Sequence, residues 1–115
     1  MNLVDSYRFG KIVINGQKYT RDLIIFPNEV KTNWWRKDGH SLCLEDLNVL
    51  DDIKTDFLIV GIGSAGVMNV PADVIRELNQ KEIEVIVLKT PEAIEKYNRL
   101  VKEGKQVAGA FHLTC

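Results

Sequence analysis

The first third of the chain carries apolar residues in short alternating runs, and the rest carries them at helical spacing between solid apolar blocks. Phe9 to Ile14 reads as a strand, followed by Asn15-Gly16. That pair favours a two-residue hairpin because both central positions of a type I′ turn need positive φ. The return strand is expected over about Lys18 to Phe26. Tyr19, Leu23 and Ile25 lie on one face, Ile24 and Phe26 on the other. Pro27-Asn28 turns the chain, and Val30 to Trp35 is expected as a third strand ended by Lys37-Asp38-Gly39. Leu47, Leu50 and Ile53 are spaced for a short amphipathic helix. Phe57 to Val60 is continuously apolar, as in a strand covered on both faces. Pro71 opens a helix whose Val74, Ile75 and Leu78 face inward. Glu82 to Leu88 is the next strand. Thr90-Pro91-Glu92 starts a helix, with Thr90 as cap and an acid at the positive dipole end. Ile94, Tyr97 and Val101 form its buried stripe, and Gly104 stops it. Val107 to Leu113 is the last strand.

Two crossover helices join the three later strands, which implies parallel pairing with right-handed connections. The expectation is a single α/β domain over residues 1–115 with a mixed sheet. An N-terminal antiparallel hairpin precedes parallel strands joined by helices, and the layering is β+β/α. The chain's 115 residues suffice for one core.

Charge and composition narrow the partners. The net charge is −1, and no basic stripe with interleaved aromatics appears, so nucleic acid is not an expected partner. The apolar runs are too short to span a bilayer. Met1 to Ser6 lacks a basic start and an apolar signal core, which predicts a cytoplasmic protein. Cys43 and Cys115 make no disulfide framework and are expected as free thiols.

Gly61 to Gly66, "GIGSAG", matches the letters of the dinucleotide-binding fingerprint, G-x-G-x-x-G. Its context does not match. The last glycine should lie in the first helical turn, where the helix N-terminus meets the pyrophosphate. Here Val67 to Val70 intervene before Pro71, and the following strand ends in Lys89-Thr90 rather than in an acid. The reading is a glycine turn that needs unusual φ or close packing; the alternative is a small anion held by loop N–H groups. No cofactor is predicted.

Trp34 to His40, "WWRKDGH", is the second unusual stretch. Adjacent tryptophans on a strand point to opposite faces, so one is expected in the core and the other exposed or in a groove. Trp and Arg together favour binding hot spots, and Arg36 could pair with a carboxylate or phosphate. His40 to Cys43 and His112 to Cys115 are two H-x-x-C pairs, a pattern that suggests zinc. Three residues along a strand, however, span about 10 Å and change face. His112 and Cys115 then cannot share one ion unless the chain bends sharply, and no metal is predicted. On the last strand His112 shares a face with Ala108 and Ala110, where it has room. No acid–base or nucleophile–base pair stands out, so no catalytic residue is assigned.

Ligands of open α/β sheets bind beyond the carboxyl ends of the parallel strands. Those ends are Gly61 to Ser64, Lys89-Thr90 and Thr114-Cys115. The candidate site residues are Trp34, Trp35, Arg36, His40, Gly61, Gly63, Ser64, Thr90, His112 and Cys115.

"YRFGKIVINGQKYTRDLII", "WWRKDGH", "GIGSAG", "TPEAIEKYN" and the final "HLTC" fall in one order. In that order the chain resembles a family of small uncharacterised α/β domains. The family includes a mitochondrial complex I assembly factor and an adipogenesis-associated protein, with bacterial and archaeal relatives. The resemblance runs from Tyr7 to Cys115. It implies a compact domain in β+β/α layers and no established reaction. The positions it matches are Phe9, Gly10, Trp34, Arg36, His40, Gly61, Gly63, Thr90, Ala93, Tyr97, Asn98, His112 and Cys115; Cys43 lies outside the pattern. The function expected is a non-enzymatic domain that binds an unknown protein partner or helps assembly. The alternative is a protein that binds a small anionic metabolite, or a minor enzyme, using the glycine loop. A homo-oligomer is a further possibility for the tryptophan surface.

Overall fold

The computed structural model describes residues 1–115, the side chain of Asp52 excepted. Three antiparallel strands come first: β1 (Val4–Arg8), β2 (Lys11–Ile14) and β3 (Gln17–Tyr19). The Asn15-Gly16 turn forms as expected, with φ of 49° and 81°. β1 was not foreseen. The chain reverses again at Phe9-Gly10, where Gly10 has φ 77°, so Phe9 belongs to a turn rather than to a strand.

The expected long return strand is broken. β3 ends at Tyr19, and β4 (Leu23–Phe26) belongs to a second sheet. The break at Thr20 to Asp22 lets Ile12 and Ile14 of the first sheet pack toward Leu23 and Ile25 of the second. β5 (Glu29–Lys31) is shorter than the expected strand over 30–35. Asn33 takes φ 55°, which ends the extended run, and the Trp34 N–H instead meets the Asp22 carbonyl at 2.8 Å. Leu44–Asp52 is a 3₁₀ segment, irregular at Leu47, that buries Leu47 and Leu50.

β6 (Phe57–Ile62), helix α1 (Ala72–Gln80), β7 (Glu84–Leu88), helix α2 (Thr90–Lys102) and β8 (Val107–His112) complete the chain. Glu82 at φ 64° delays β7 by two residues relative to expectation. The second sheet has the order β5-β4-β8-β6-β7. β7, β6 and β8 are parallel, and β8 meets β4 antiparallel, Ile24 facing Ala110.

This order places the helices. The step from β6 to β7 runs toward one sheet edge, and the step from β7 to β8 runs back past β6. Both connections must be right-handed, so α1 and α2 lie on opposite faces. Leu58, Val60, Ala108 and Ala110 pack against Val74 and Leu78 of α1 and against Leu47 and Leu50. Ile59, Val107 and Phe111 pack against Ile94, Tyr97 and Val101 of α2, beside the three-stranded sheet. Asn98 of α2 clasps β1, accepting from the Val4 N–H at 2.9 Å and donating to its carbonyl at 2.9 Å. Each apolar strand face thereby gains a cover, the main driving force for the fold. Among the described residues, no helix is long and apolar enough to cross a membrane.

Candidate functional site

The carboxyl ends of β6, β7 and β8 meet at one rim. Thr90 joins them. Its fully buried hydroxyl accepts from the Gly63 N–H at 2.9 Å and donates to the His112 carbonyl at 2.7 Å. This corrects the expected role of Thr90: it stands inside the first turn of α2 and does not cap it, and Lys89 precedes the helix without a side-chain cap.

The glycine loop after β6 is a clasp. Gly63 adopts φ 101° and Gly66 φ 74°, conformations suited to glycine. A Cβ on Gly63 would overlap the Cys115 main chain. The Ser64 N–H donates to the Thr114 carbonyl at 2.7 Å, and the Val67 N–H to the Cys115 carbonyl at 3.1 Å. The amides of Gly63, Gly66 and Met68 also donate within the chain, to Thr90, Gly63 and Ile62. These N–H groups, which an anion would need, are thus spent on holding Thr114 and Cys115 and on the loop's own bonds.

That clasp bends the chain as β8 ends, the condition the spacing argument set for His112 and Cys115 to approach one another. One ligand atom each from His40, His112 and Cys115 lies within 4.8 Å of the others. Cys115 Sγ is 3.8 Å from His40 Nε2, and the two imidazoles meet edge to face at 6.3 Å. Cys43 belongs to the other half of the paired motif and is not in the group.

Behind His112 lies a charged pair, Asp22 and Arg36, of which only Arg36 stands out in the sequence. Asp22 Oδ2 accepts from His112 Nδ1 at 2.7 Å, and its Oδ1 accepts from the Leu113 N–H at 2.8 Å. Arg36 Nη1 sits 2.8 Å from Asp22 Oδ2, with the Arg36 side chain 6% exposed. The guanidinium stacks 4.8 Å above the Trp34 ring. Arg36 does pair with a carboxylate, as its residue type suggested, but with one from its own chain. Burial alone would raise the Asp22 pKa; the Leu113 N–H, the His112 ring and the Arg36 guanidinium outweigh it and hold the carboxyl below its ordinary value. Arg36 Nη2 also lies 3.2 Å from His112 Nδ1, and His112 Nε2 meets the Thr114 hydroxyl at 3.5 Å.

Tyr7 closes the rim from β1, donating to the Leu113 carbonyl at 2.8 Å. Burial raises its phenol pKa, with a further contribution from the Asp22 charge. Gly61 lies beneath, where an added Cβ would meet Phe111 and Thr90 at 3.0 Å. Its role is close packing.

The two tryptophans divide as expected, one in and one out, although on a loop rather than a strand. Trp34 is buried and donates from Nε1 to the Asp46 carbonyl at 2.8 Å. Trp35 is 74% exposed, with the Arg21 guanidinium 5.7 Å over its ring. Clefts of about 570 Å³ and 360 Å³ adjoin it, the first bordered by Lys31, Lys37 and Val49, the second by Arg21, Asp22 and Gly39. The candidate residues thus form two places. Arg36, His40, Gly61, Gly63, Ser64, Thr90, His112 and Cys115 surround the rim, and Trp35 stands on the neighbouring surface, with Trp34 and Arg36 bridging the two.

Residues 4–112 match the family described as "Protein of unknown function (DUF498/DUF598)". The chain belongs to that family. A solved structure titled MT938 is 27% identical, with a TM-score of 0.81 and both chains covered in full. A conserved hypothetical protein, PH1505 from Pyrococcus horikoshii OT3, is 25% identical with a TM-score of 0.76, covering 97% of this chain and 98% of its own. A Bordetella pertussis protein, solved by NMR and titled a Mth938-like domain, shares the fold at 19% identity, with a TM-score of 0.79 and coverage of 97% and 85%.

Proposed function

We propose that the chain is a protein-binding module that helps other proteins assemble, and that its contact surface is centred on Trp35. The observation that carries this reading is the exposure of Trp35 between two clefts. A large ring held in water has no part in the core, and exposed Trp with adjacent Arg is the composition of binding hot spots. Arg21, Lys31 and Lys37 surround the surface. Lys31 and Lys37 are paired with Glu29 and Glu45, while Arg21 lies over the Trp35 ring. The matching partner is a polypeptide segment that offers an apolar side chain to Trp35 and a carboxylate to Arg21. The sequence resemblance to a family with a complex I assembly factor and an adipogenesis-associated protein supports the same class of role.

The test places a photo-crosslinking residue at position 35 or 49 in native cells, with position 77 on α1 as control. The expected result is one polypeptide captured at 35 and 49 but not at 77. Its purified form should bind the wild type at least about 30-fold more tightly than the Trp35→Ala variant, the scale of a hot spot. Crosslinks no different from those at position 77 overturn the reading. Crosslinks solely to a second copy of this chain replace it with self-association.

A further inference from the structure

We propose that His40, His112 and Cys115 form a zinc-binding site with a fourth position open to an outside ligand. Their ligand atoms lie within 4.8 Å of one another. In a tetrahedral zinc centre, nitrogen and sulfur ligands sit about 3.6 Å apart and two nitrogens about 3.4 Å. The 3.8 Å between Cys115 Sγ and His40 Nε2 is already close to that spacing. Contraction of up to about 1.4 Å in the two remaining separations completes the set, and the exposed side chains of His40 and Cys115 can supply it.

Three features of the fold serve this cluster. The first is the ring behind it. With Nδ1 donating to Asp22 at 2.7 Å, Nε2, 3.5 Å from the Thr114 hydroxyl, is the nitrogen that remains for a metal, the carboxylate–histidine arrangement that orients zinc ligands. Arg36 pairs with that carboxylate, so the charge behind the ring is balanced. The second is the anchoring of the other two residues. The Cys115 carbonyl is held by Val67, and the Thr114 carbonyl by Ser64, both in the glycine loop. The His40 N–H donates to Asp38 Oδ1 at 2.9 Å, and its carbonyl accepts from the Asn69 N–H at 2.7 Å. The third is the glycine at position 63, whose absent side chain lets Cys115 approach. The loop that imitates a cofactor fingerprint thus positions a cysteine side chain.

The donor set selects the ion. One thiolate and two imidazoles suit a borderline-soft, tetrahedral cation, while magnesium and calcium require oxygen ligands. Three protein ligands, two of them exposed, leave a position for water or for a donor from a partner.

Tag-free reduced protein is titrated with Co²⁺, a spectroscopic substitute for Zn²⁺. The expected result is a thiolate-to-cobalt charge-transfer band and tetrahedral visible bands that saturate at one equivalent and vanish when Zn²⁺ is added. The bands should persist in Cys43→Ser and disappear in Cys115→Ser and His40→Ala. Both of the latter change exposed side chains and should remain folded by circular dichroism. Asp22→Asn, if folded, should weaken binding about 10- to 100-fold. Zn²⁺ should also slow iodoacetamide alkylation of Cys115 in the wild type. A wild-type titration without a charge-transfer band overturns the proposal, and so does a band that survives Cys115→Ser or needs Cys43.

Discussion

Replacing Thr90 by Val tests whether one hydroxyl ties the three strand ends together. Valine keeps the shape of the side chain and removes both of its hydrogen bonds. The Gly63 N–H at 2.9 Å and the His112 carbonyl at 2.7 Å lose their partner where Thr90 has no exposure to water. Each buried group left unpaired costs about 1–3 kcal/mol, so a total near 2–4 kcal/mol is expected after partial relaxation. The unfolding entropy of a chain of this length gives about 4 °C per kcal/mol, which makes the expected fall in Tm about 8–16 °C. Thr90→Ser is the control. It keeps the hydroxyl and loses one methyl group, at about 1 kcal/mol. Urea unfolding and calorimetry measure both variants. A Val variant within about 0.5 kcal/mol of wild type, or a Ser variant as unstable as Val, refutes the reasoning.

The other predictions concern the loop, the tryptophans and a buried phenol. Gly63→Ala should cost well over about 2 kcal/mol, because φ of 101° and overlap with the Cys115 main chain act together. Gly104→Ala, at φ 82° with open space, should cost only about 1–2 kcal/mol; equal losses in chemical denaturation would show that the clasp is slack. Trp34→Ala should lose about 3–5 kcal/mol, whereas Trp35→Ala should stay within about 0.5 kcal/mol of wild type; a large loss for the second would place Trp35 in the fold's own energetics. Burial pushes the Tyr97 phenol well above its ordinary pKa, so the folded chain keeps a proton that the unfolded chain releases. Its contribution is complete below about pH 10 and is lost as pH rises toward the folded value. Tyr97→Phe should lose about 1 kcal/mol at neutral pH with its 3.1 Å bond to the Asn2 carbonyl, and its stability should fall less steeply above about pH 10. Identical alkaline slopes would refute that account.

The later two thirds of the chain were legible because burial there is decided locally. The Phe57 to Val60 run, the stripe of Ile94, Tyr97 and Val101, and the alternation through β8 all carry their faces in their spacing, and the structure buries the expected sides. The first third was less so. Arg21 and Asp22 interrupt a run that ends in four apolar residues, a signal that the strand breaks there, but the switch from one sheet to another depends on distant partners. Asp22 went unassigned for the same reason: its partners His112 and Leu113 are 90 and 91 positions away. The rim itself was visible as three strand ends. Its closest grouping was hidden, because the bend after His112 is imposed by the glycine loop and not by the residues that bend.

The position of β8 bears on how the molecule comes into being. The last strand in the chain is the middle strand of the five, pairing with β4 on one side and β6 on the other. Until residue 112 has left the ribosome, β4 beside β5 and β6 beside β7 each present one unpaired edge whose side chains are almost all apolar, and such edges invite aggregation. The larger sheet is therefore assembled late, around contacts of long sequence separation, which favours slow folding. A nascent chain halted before β8 would be a substrate for chaperones, and it would lack the strand that joins the two halves of the sheet.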